Sequence, residues 1–359
     1  MSDEVYPRIA EADLKDYTVA ILGARGVGAD DARTTAEVLV SSDIRGIESH
    51  GVARLEQYVA GIEAGVLDPR AQPTIVRQGA ATALVDARNG LGHVAGVFAM
   101  KLAIEKAQVA DIGVVSVQHT NHYGIAGYYA MMALGHNLIG LALTNSSPLV
   151  APTGSRAPML GTNPIAFAAP SGGDIPFVLD MATSTVPKGR IEVAARKGIP
   201  LQAGWSLDAE GRPTLDAQAA LGGALLPLGG PAESSGYKGY GLAALVEILC
   251  GVLSGSLYGP LIARLWTTER PSDLGQFFLA LRPDAFGPIE AFHTRLQHLE
   301  RLLKEAPLAV GAEEVLIAGE KEQRATERNR REGIPVHPKV VARLEELAEG
   351  LRGPLPRVA

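Results

Sequence analysis

Between Arg45 and Arg54 the chain reads Arg-Gly-Ile-Glu-Ser-His-Gly-Val-Ala-Arg, setting a histidine between a serine and a glycine with an arginine four residues further on. An imidazole gives or takes a proton near neutral pH, and a guanidinium holds a carboxylate through two parallel hydrogen bonds. His50 and Arg54 therefore suit a small 2-hydroxy or 2-keto acid. A second histidine pair stands in His119-Thr-Asn-His122-Tyr-Gly124, directly after the apolar run Val114 to Val117. Ligands of α/β sheets collect at the carboxyl ends of strands, which makes His122 a rival acid/base group. His119 and His122 on one helical face would also suit a metal. No Cys, His or Glu cluster at usable spacing accompanies them, and no metal is expected.

Three polar strings flank apolar runs: Thr144-Asn-Ser-Ser-Pro148, Gly161-Thr-Asn-Pro164 and Asp180-Met-Ala-Thr-Ser184. Each alone reads as turn punctuation, but together they offer backbone N–H groups and short hydroxyl donors to a ribose or phosphate. Ser234-Ser-Gly-Tyr-Lys-Gly-Tyr-Gly241 adds a lysine at the start of an apolar helix, where free amides attract an anion. It lacks P-loop spacing. A tempting dinucleotide fingerprint at Val19 to Gly28 fails as well, because its glycines read G-x-x-G-x-G and Asp43, the would-be ribose ligand, lies in a helical pattern. A helix ending at Gly23, then a loop before an N-cap near Asp30, is the expectation there. A hydrolase is disfavoured: the Ser49 and His50 side chains, being adjacent, should diverge, and no G-x-S-x-G elbow occurs.

The elements that must carry these groups belong to a soluble α/β chain. Its 359 residues are 47% hydrophobic and 20% charged, enough for a large core and about two domains. A net charge of -6 speaks against nucleic acid or an anionic membrane as partner, leaving small molecules. Cys250 is the one cysteine, so no internal disulfide exists and a reducing compartment fits. The polar, acidic start is no signal peptide and no apolar run reaches about 20 residues, so a cytoplasmic protein is expected.

Helices are predicted over about 9–22, 31–44, 92–110, 125–134, 239–253, 288–304 and 320–332. Strands are expected at 82–85, 112–117, 138–144, 164–169, 176–181 and 276–281. The segment after Val66 is Pro-rich and polar and reads as a loop. The 320–332 helix has almost no apolar stripe, which predicts a solvated or partner-facing surface. On this reading 1–75 form a helical N-terminal segment packing with C-terminal helices of 286–359, around an α/β core at 76–285 that binds cofactor and substrate.

Six segments in order resemble the type 2 malate/L-lactate dehydrogenase family, which includes ureidoglycolate, sulfolactate and diketogulonate dehydrogenases and piperideine-2-carboxylate reductases. They are Asp43 to Leu55, Asn121 to Tyr129, Leu160 to Pro170, Leu179 to Ser184, Tyr237 to Leu242 and Gly275 to Phe278. The similarity runs from about residue 8 to 350. It implies a non-Rossmann α/β fold, a mixed sheet flanked by helices with helical N- and C-terminal segments. It also implies an NAD- or NADP-dependent oxidoreductase, NAD being the first choice, assembled as a homodimer with its active site near the subunit interface. The implied proton donor is His50, or His122 as in some members, with Asp180 orienting a histidine. Arg54, Ser49 and Tyr58 would bind substrate. Cofactor contacts would fall at Ser146, Thr162, Val178, Leu179, Asp180, Met181, Ala182, Thr183, Ser184, Tyr237, Lys238, Gly319 and Glu320. Val186-Pro-Lys-Gly-Arg190 departs from the family pattern, Pro187 stiffening the loop after the cofactor segment. The alternatives are a reductase of a cyclic imino acid, of piperideine- or pyrroline-2-carboxylate type, or a catalytically silent dinucleotide-binding homolog.

Overall fold

Apolar residues spaced by three and four build the N-terminal helices, and their buried faces require a partner. In the computed structural model, which describes residues 6–264 and 267–358, that partner is the far end of the chain. Strand β1 (Arg8–Ile9) leads into α1 (Glu11–Gly23), α2 (Ala29–Ile44) and α3 (Leu55–Glu63). Their Ile9, Leu14, Ile21, Leu39, Leu55 and Tyr58 pack with Ile334, Val341, Leu344 and Leu347 in one buried cluster. The glycines of Val19 to Gly28 are a helix end and a loop: α1 stops at Gly23, and α2 is capped by Gly28 rather than near Asp30.

The centre is a seven-stranded sheet. Along the chain come β2 (Thr74–Gln78), β3 (Thr82–Asp86), α4 (Gly92–Ala110), β4 (Ile112–Thr120), α5 (Ala126–Met132), β5 (Ile139–Thr144), β6 (Ile165–Ala169) and β7 (Phe177–Met181). An outlying unit follows, with α6 (Lys188–Lys197), the strand pair β8 (Ser206–Leu207) and β9 (Ala224–Leu225), and α7 (Ala217–Leu221) between those strands. The chain then returns through α8 (Tyr237–Glu247) and β10 (Leu274–Leu281), and ends in α9 (Ile289–Lys304), α10 (Glu320–Glu332), β11 (Ile334–Pro335) and α11 (Pro338–Leu347). Sheet order is β2-β3-β4-β10-β5-β6-β7, with β3 and β4 parallel across the α4 crossover and every other pair antiparallel. The mixed α/β architecture expected from the sequence is present.

Helix α4 lies close on the sheet because Ala95, Ala99, Ala103 and Ala107, each four residues apart, give it a flat buried face. Together with α5 it covers one face; Val246 and Cys250 pack with Leu143 and Phe277 on the other.

Three expectations change. The segment after Val66, read as loop, contains edge strand β2; all five of its residues are exposed and a bulge interrupts its pairing, so no alternation was there to be read. Helix α10 is not wholly solvated, since Asn329 Nδ2 donates to the Ile44 carbonyl at 2.9 Å and Ala325 and Thr326 are buried, a polar contact with the end of α2 that a search for apolar stripes misses. His119 and His122 do not share a helical face: His119 lies near the end of β4 and His122 in the loop that follows.

Candidate active site

Helix α2 ends at Ile44 and the chain turns sharply, the Ser42 hydroxyl donating to the Ile47 carbonyl at 2.7 Å. Two tight turns, Glu48–His50 and Val52–Arg54, then lead into α3. Asp43 is buried beneath them and accepts the Val52 N–H at 2.8 Å. A Cβ at Gly51 would fall inside the Asp43 carboxyl group, so only glycine fits there. Burial without a cation, with Glu48 nearby, pushes the Asp43 carboxyl up to about 8.

His50 rides on this turn. Contrary to the expected divergence, Ser49 Oγ and His50 Nδ1 lie 2.9 Å apart, because the short turn folds the imidazole back onto the preceding hydroxyl. Arg54 Nε donates to the Ser49 carbonyl at 2.7 Å. The His50 ring stacks on His122, centroids 5.6 Å apart and planes at 23°. At His122 Nδ1 two groups converge: the Tyr58 hydroxyl at 2.6 Å and the Gly124 N–H at 3.3 Å. Burial, then the neighbouring imidazoles and Arg54, holds His122 well below the usual histidine range. Burial first and Arg54 second lower His50 to about 4.

Side chains from two of the six family segments, Asn121 to Tyr129 and Gly275 to Phe278, fix this loop. Gln276 Nε2 donates to Thr120 Oγ1 and the Asn121 carbonyl, both at 3.2 Å, and Asn121 Nδ2 reaches the Gly90 carbonyl at 2.9 Å. His93, fully buried on α4, meets the Tyr58 ring edge-on at 4.7 Å.

Asp180 Oδ2 accepts the Gly127 N–H at the start of α5 at 2.7 Å, so its recorded bond orients a helix and not a histidine. The residue is exposed at the end of β7. Desolvation raises its carboxyl to about 6 against the pull of Gly127 and Arg45.

The expected cofactor residues come together. Thr162 N–H donates to Ser146 Oγ at 3.2 Å, Thr183 N–H to the Thr162 carbonyl at 2.8 Å, and Leu228 N–H, below the start of α8, to the Thr183 carbonyl at 2.8 Å. Val178 N–H binds the Ala318 carbonyl at 3.0 Å, which brings Gly319 alongside. Tyr237 and Lys238 are exposed in the first turn of α8. Glu320 is different: Lys304 Nζ takes both its carboxylate oxygens at 2.6 and 2.7 Å, and Arg324 Nη2 donates to one of them at 2.6 Å. Beneath the cluster lies a clamp that the sequence did not reveal. Buried Glu247 accepts from Asn145 Nδ2 at 3.1 Å and Asn163 Nδ2 at 2.9 Å, tying two of the loops to α8.

The chain matches the family model described as Malate/L-lactate dehydrogenase over residues 9–345. The chain belongs to the malate/L-lactate dehydrogenase family. Among this family's members it is 44% identical to a malate dehydrogenase of Pyrococcus abyssi, over 98% of this chain and 97% of that one. It is 38% identical to an L-sulfolactate dehydrogenase of Methanocaldococcus jannaschii, over 94% and 95% of the two chains. A solved malate dehydrogenase from Pyrococcus horikoshii superposes with a TM-score of 0.90 at 41% identity, covering 98% of each chain. As a member of this family the chain is an oxidoreductase, and its sheet, with one parallel pair among antiparallel ones, is not the parallel Rossmann arrangement. Among the described residues no helix is long and apolar enough to cross a membrane, and no group of three His, Cys, Asp or Glu could hold a metal.

Proposed function

We propose that the protein transfers hydride between a nicotinamide dinucleotide, NAD in preference to NADP, and a small 2-hydroxy acid, with His50 as proton carrier and His122 as donor to the substrate oxygen. The observation that carries the division of roles is the pair of groups at His122 Nδ1. A backbone N–H only donates, so Nδ1 accepts and the neutral ring carries its proton on Nε2. Burial raises the Tyr58 phenol, which keeps its proton and donates to the same nitrogen. His50 has the complementary freedom. With Nδ1–H donating to Ser49 Oγ, its Nε2 lone pair is left to accept the substrate's hydroxyl proton. Two stacked imidazoles do not both charge readily, which keeps His122 neutral while His50 cycles.

Arg54 binds the substrate carboxylate in this reading, and Ser49 steadies His50. The nicotinamide supplies the hydride chemistry. The loops are held together for such a cofactor: a Cβ at Gly161 would run into Ser146 and Asn163, so only glycine lets these two loops pack this closely and present their backbone and hydroxyl groups side by side. Ser146, Thr162 and the 178–184 segment line it, and Lys238 stands ready for phosphate. A homodimer is part of the proposal; exposed Leu242, Leu245, Ile248 and Val252 along α8 and its continuation are apolar surface that association would cover.

Replacing His50 with Ala should lower kcat on the order of 10² to 10⁴ while the dissociation constant for the reduced cofactor, read by its fluorescence, stays within about twofold. Tyr58→Phe should lose less, about tenfold, since His122 keeps the Gly124 N–H. A His50→Ala enzyme that turns over near the wild-type rate would reverse the assignment.

A further inference from the structure

On the α3 side of His122 a narrow cleft is lined by Tyr58, Leu67, Asn121, His122, Thr267 and Arg270, and among the described residues no carboxylate lines it. Arg270 forms no ion pair among the described residues, and its recorded bond is from Nη2 to the Leu261 carbonyl at 3.0 Å. The loop bearing it is fastened to the strand end that delivers His122. His119 Nδ1 pairs with Asp273 Oδ1 at 2.9 Å, His119 N–H donates to Ser256 Oγ at 2.9 Å, and Ser256 Oγ donates to the Leu274 carbonyl at 3.0 Å. Asn89, His119 and Asp273 all adopt left-handed backbone here, φ +60°, +51° and +52°, a strain that persists only where the surroundings hold it. The guanidinium thus lines the same cleft as His122, on a loop fastened to the strand end that delivers that histidine, and among the described residues the cleft has no anion of its own.

A monocarboxylic substrate engages one cation, and Arg54 serves it. We propose that Arg270 is a second anion subsite, binding the carboxylate or sulfonate at the far end of a dianionic 2-hydroxy acid and so setting specificity for malate-like over lactate-like substrates. This rests on the dehydrogenase reading. The geometry favours a planar, permanently charged fork, which meets an acid group with two hydrogen bonds where an amide meets it with one.

The test compares wild type with Arg270→Gln and Arg270→Lys, all checked for equal melting temperature. The ratio of kcat/KM for malate to that for lactate should fall on the order of 10- to 100-fold in Arg270→Gln and recover in part in Arg270→Lys. Calorimetric titration with malate and lactate reads the same preference without turnover. Should no hydroxy acid be oxidised at all, the dehydrogenase reading fails, yet loss of a malate preference in binding would still support the subsite. An unchanged malate-to-lactate ratio in both turnover and binding would overturn it.

Discussion

At His50, the proposed proton carrier, burial first and the Arg54 guanidinium second both favour the neutral ring. Oxidation of a hydroxy acid needs that neutral ring. With the imidazole lowered to about 4, kcat/KM for oxidation should stay flat as pH falls from 8 to about 5 and drop only as His50 protonates below that. Reduction of the keto acid needs the imidazolium and should instead rise as pH falls toward about 4. Rate profiles in both directions check this, with Asp180→Asn removing the site carboxyl held at about 6; an acid limb of oxidation at the ordinary histidine value in that variant would show that His50 is not the carrier. His50, Arg54 and His122 stand out as candidates in the sequence because their chemistry shows in residue type and spacing, and the structure adds that the two imidazoles stack. Arg270 does not stand out, since its relevance comes from a loop more than a hundred residues away folding onto the same strand end. The contact of the Ser49 hydroxyl with His50 does not follow from adjacency, since it depends on the short turn that bends one side chain back.

At the scale of elements, the join between α2 and α3 is the sensitive part. Asp43 fills the space under Gly51 and ties down the Val52 N–H, so it sets where His50 points. Its carboxyl sits at about 8 in the folded chain, above the usual 3.8. A raised carboxyl favours folding at low pH, so this contribution is full below about pH 4 and is lost as pH rises through about 8. Asp43→Asn keeps an acceptor and removes the titration; its melting temperature should fall less than that of wild type between pH 5 and 8. Parallel curves for the two proteins would contradict the buried acid. Strands with continuous apolar runs, such as β5 and β10, could be read from the sequence because both of their faces are covered. Strand β2 and the Asn145–Glu247–Asn163 clamp could not: the first buries nothing and the second is built from polar residues whose meeting depends on tertiary structure.

Across the whole molecule, the two chain ends build one layer and the sheet another, with the Ser-His-Gly turn at their seam. The proposed substrate groups therefore come mainly from the N-terminal helices and the proposed cofactor groups from loops of β5, β6, β7 and α8. The glycine spacing removed one dinucleotide fingerprint and the family resemblance implied the non-Rossmann fold, but the arrangement of strands was not legible, since a sheet mixing one parallel pair with five antiparallel ones leaves no simple periodic trace. The most direct test is reduced-nicotinamide absorbance followed with NAD and with NADP over a panel of 2-hydroxy acids, 2-keto acids and cyclic imino acids. Turnover of 2-hydroxy and 2-keto acids, faster with the NAD pair and lost by at least on the order of 10² in His50→Ala, is the predicted result. Reduction confined to cyclic imines, or cofactor binding with no turnover of any acid, would contradict it.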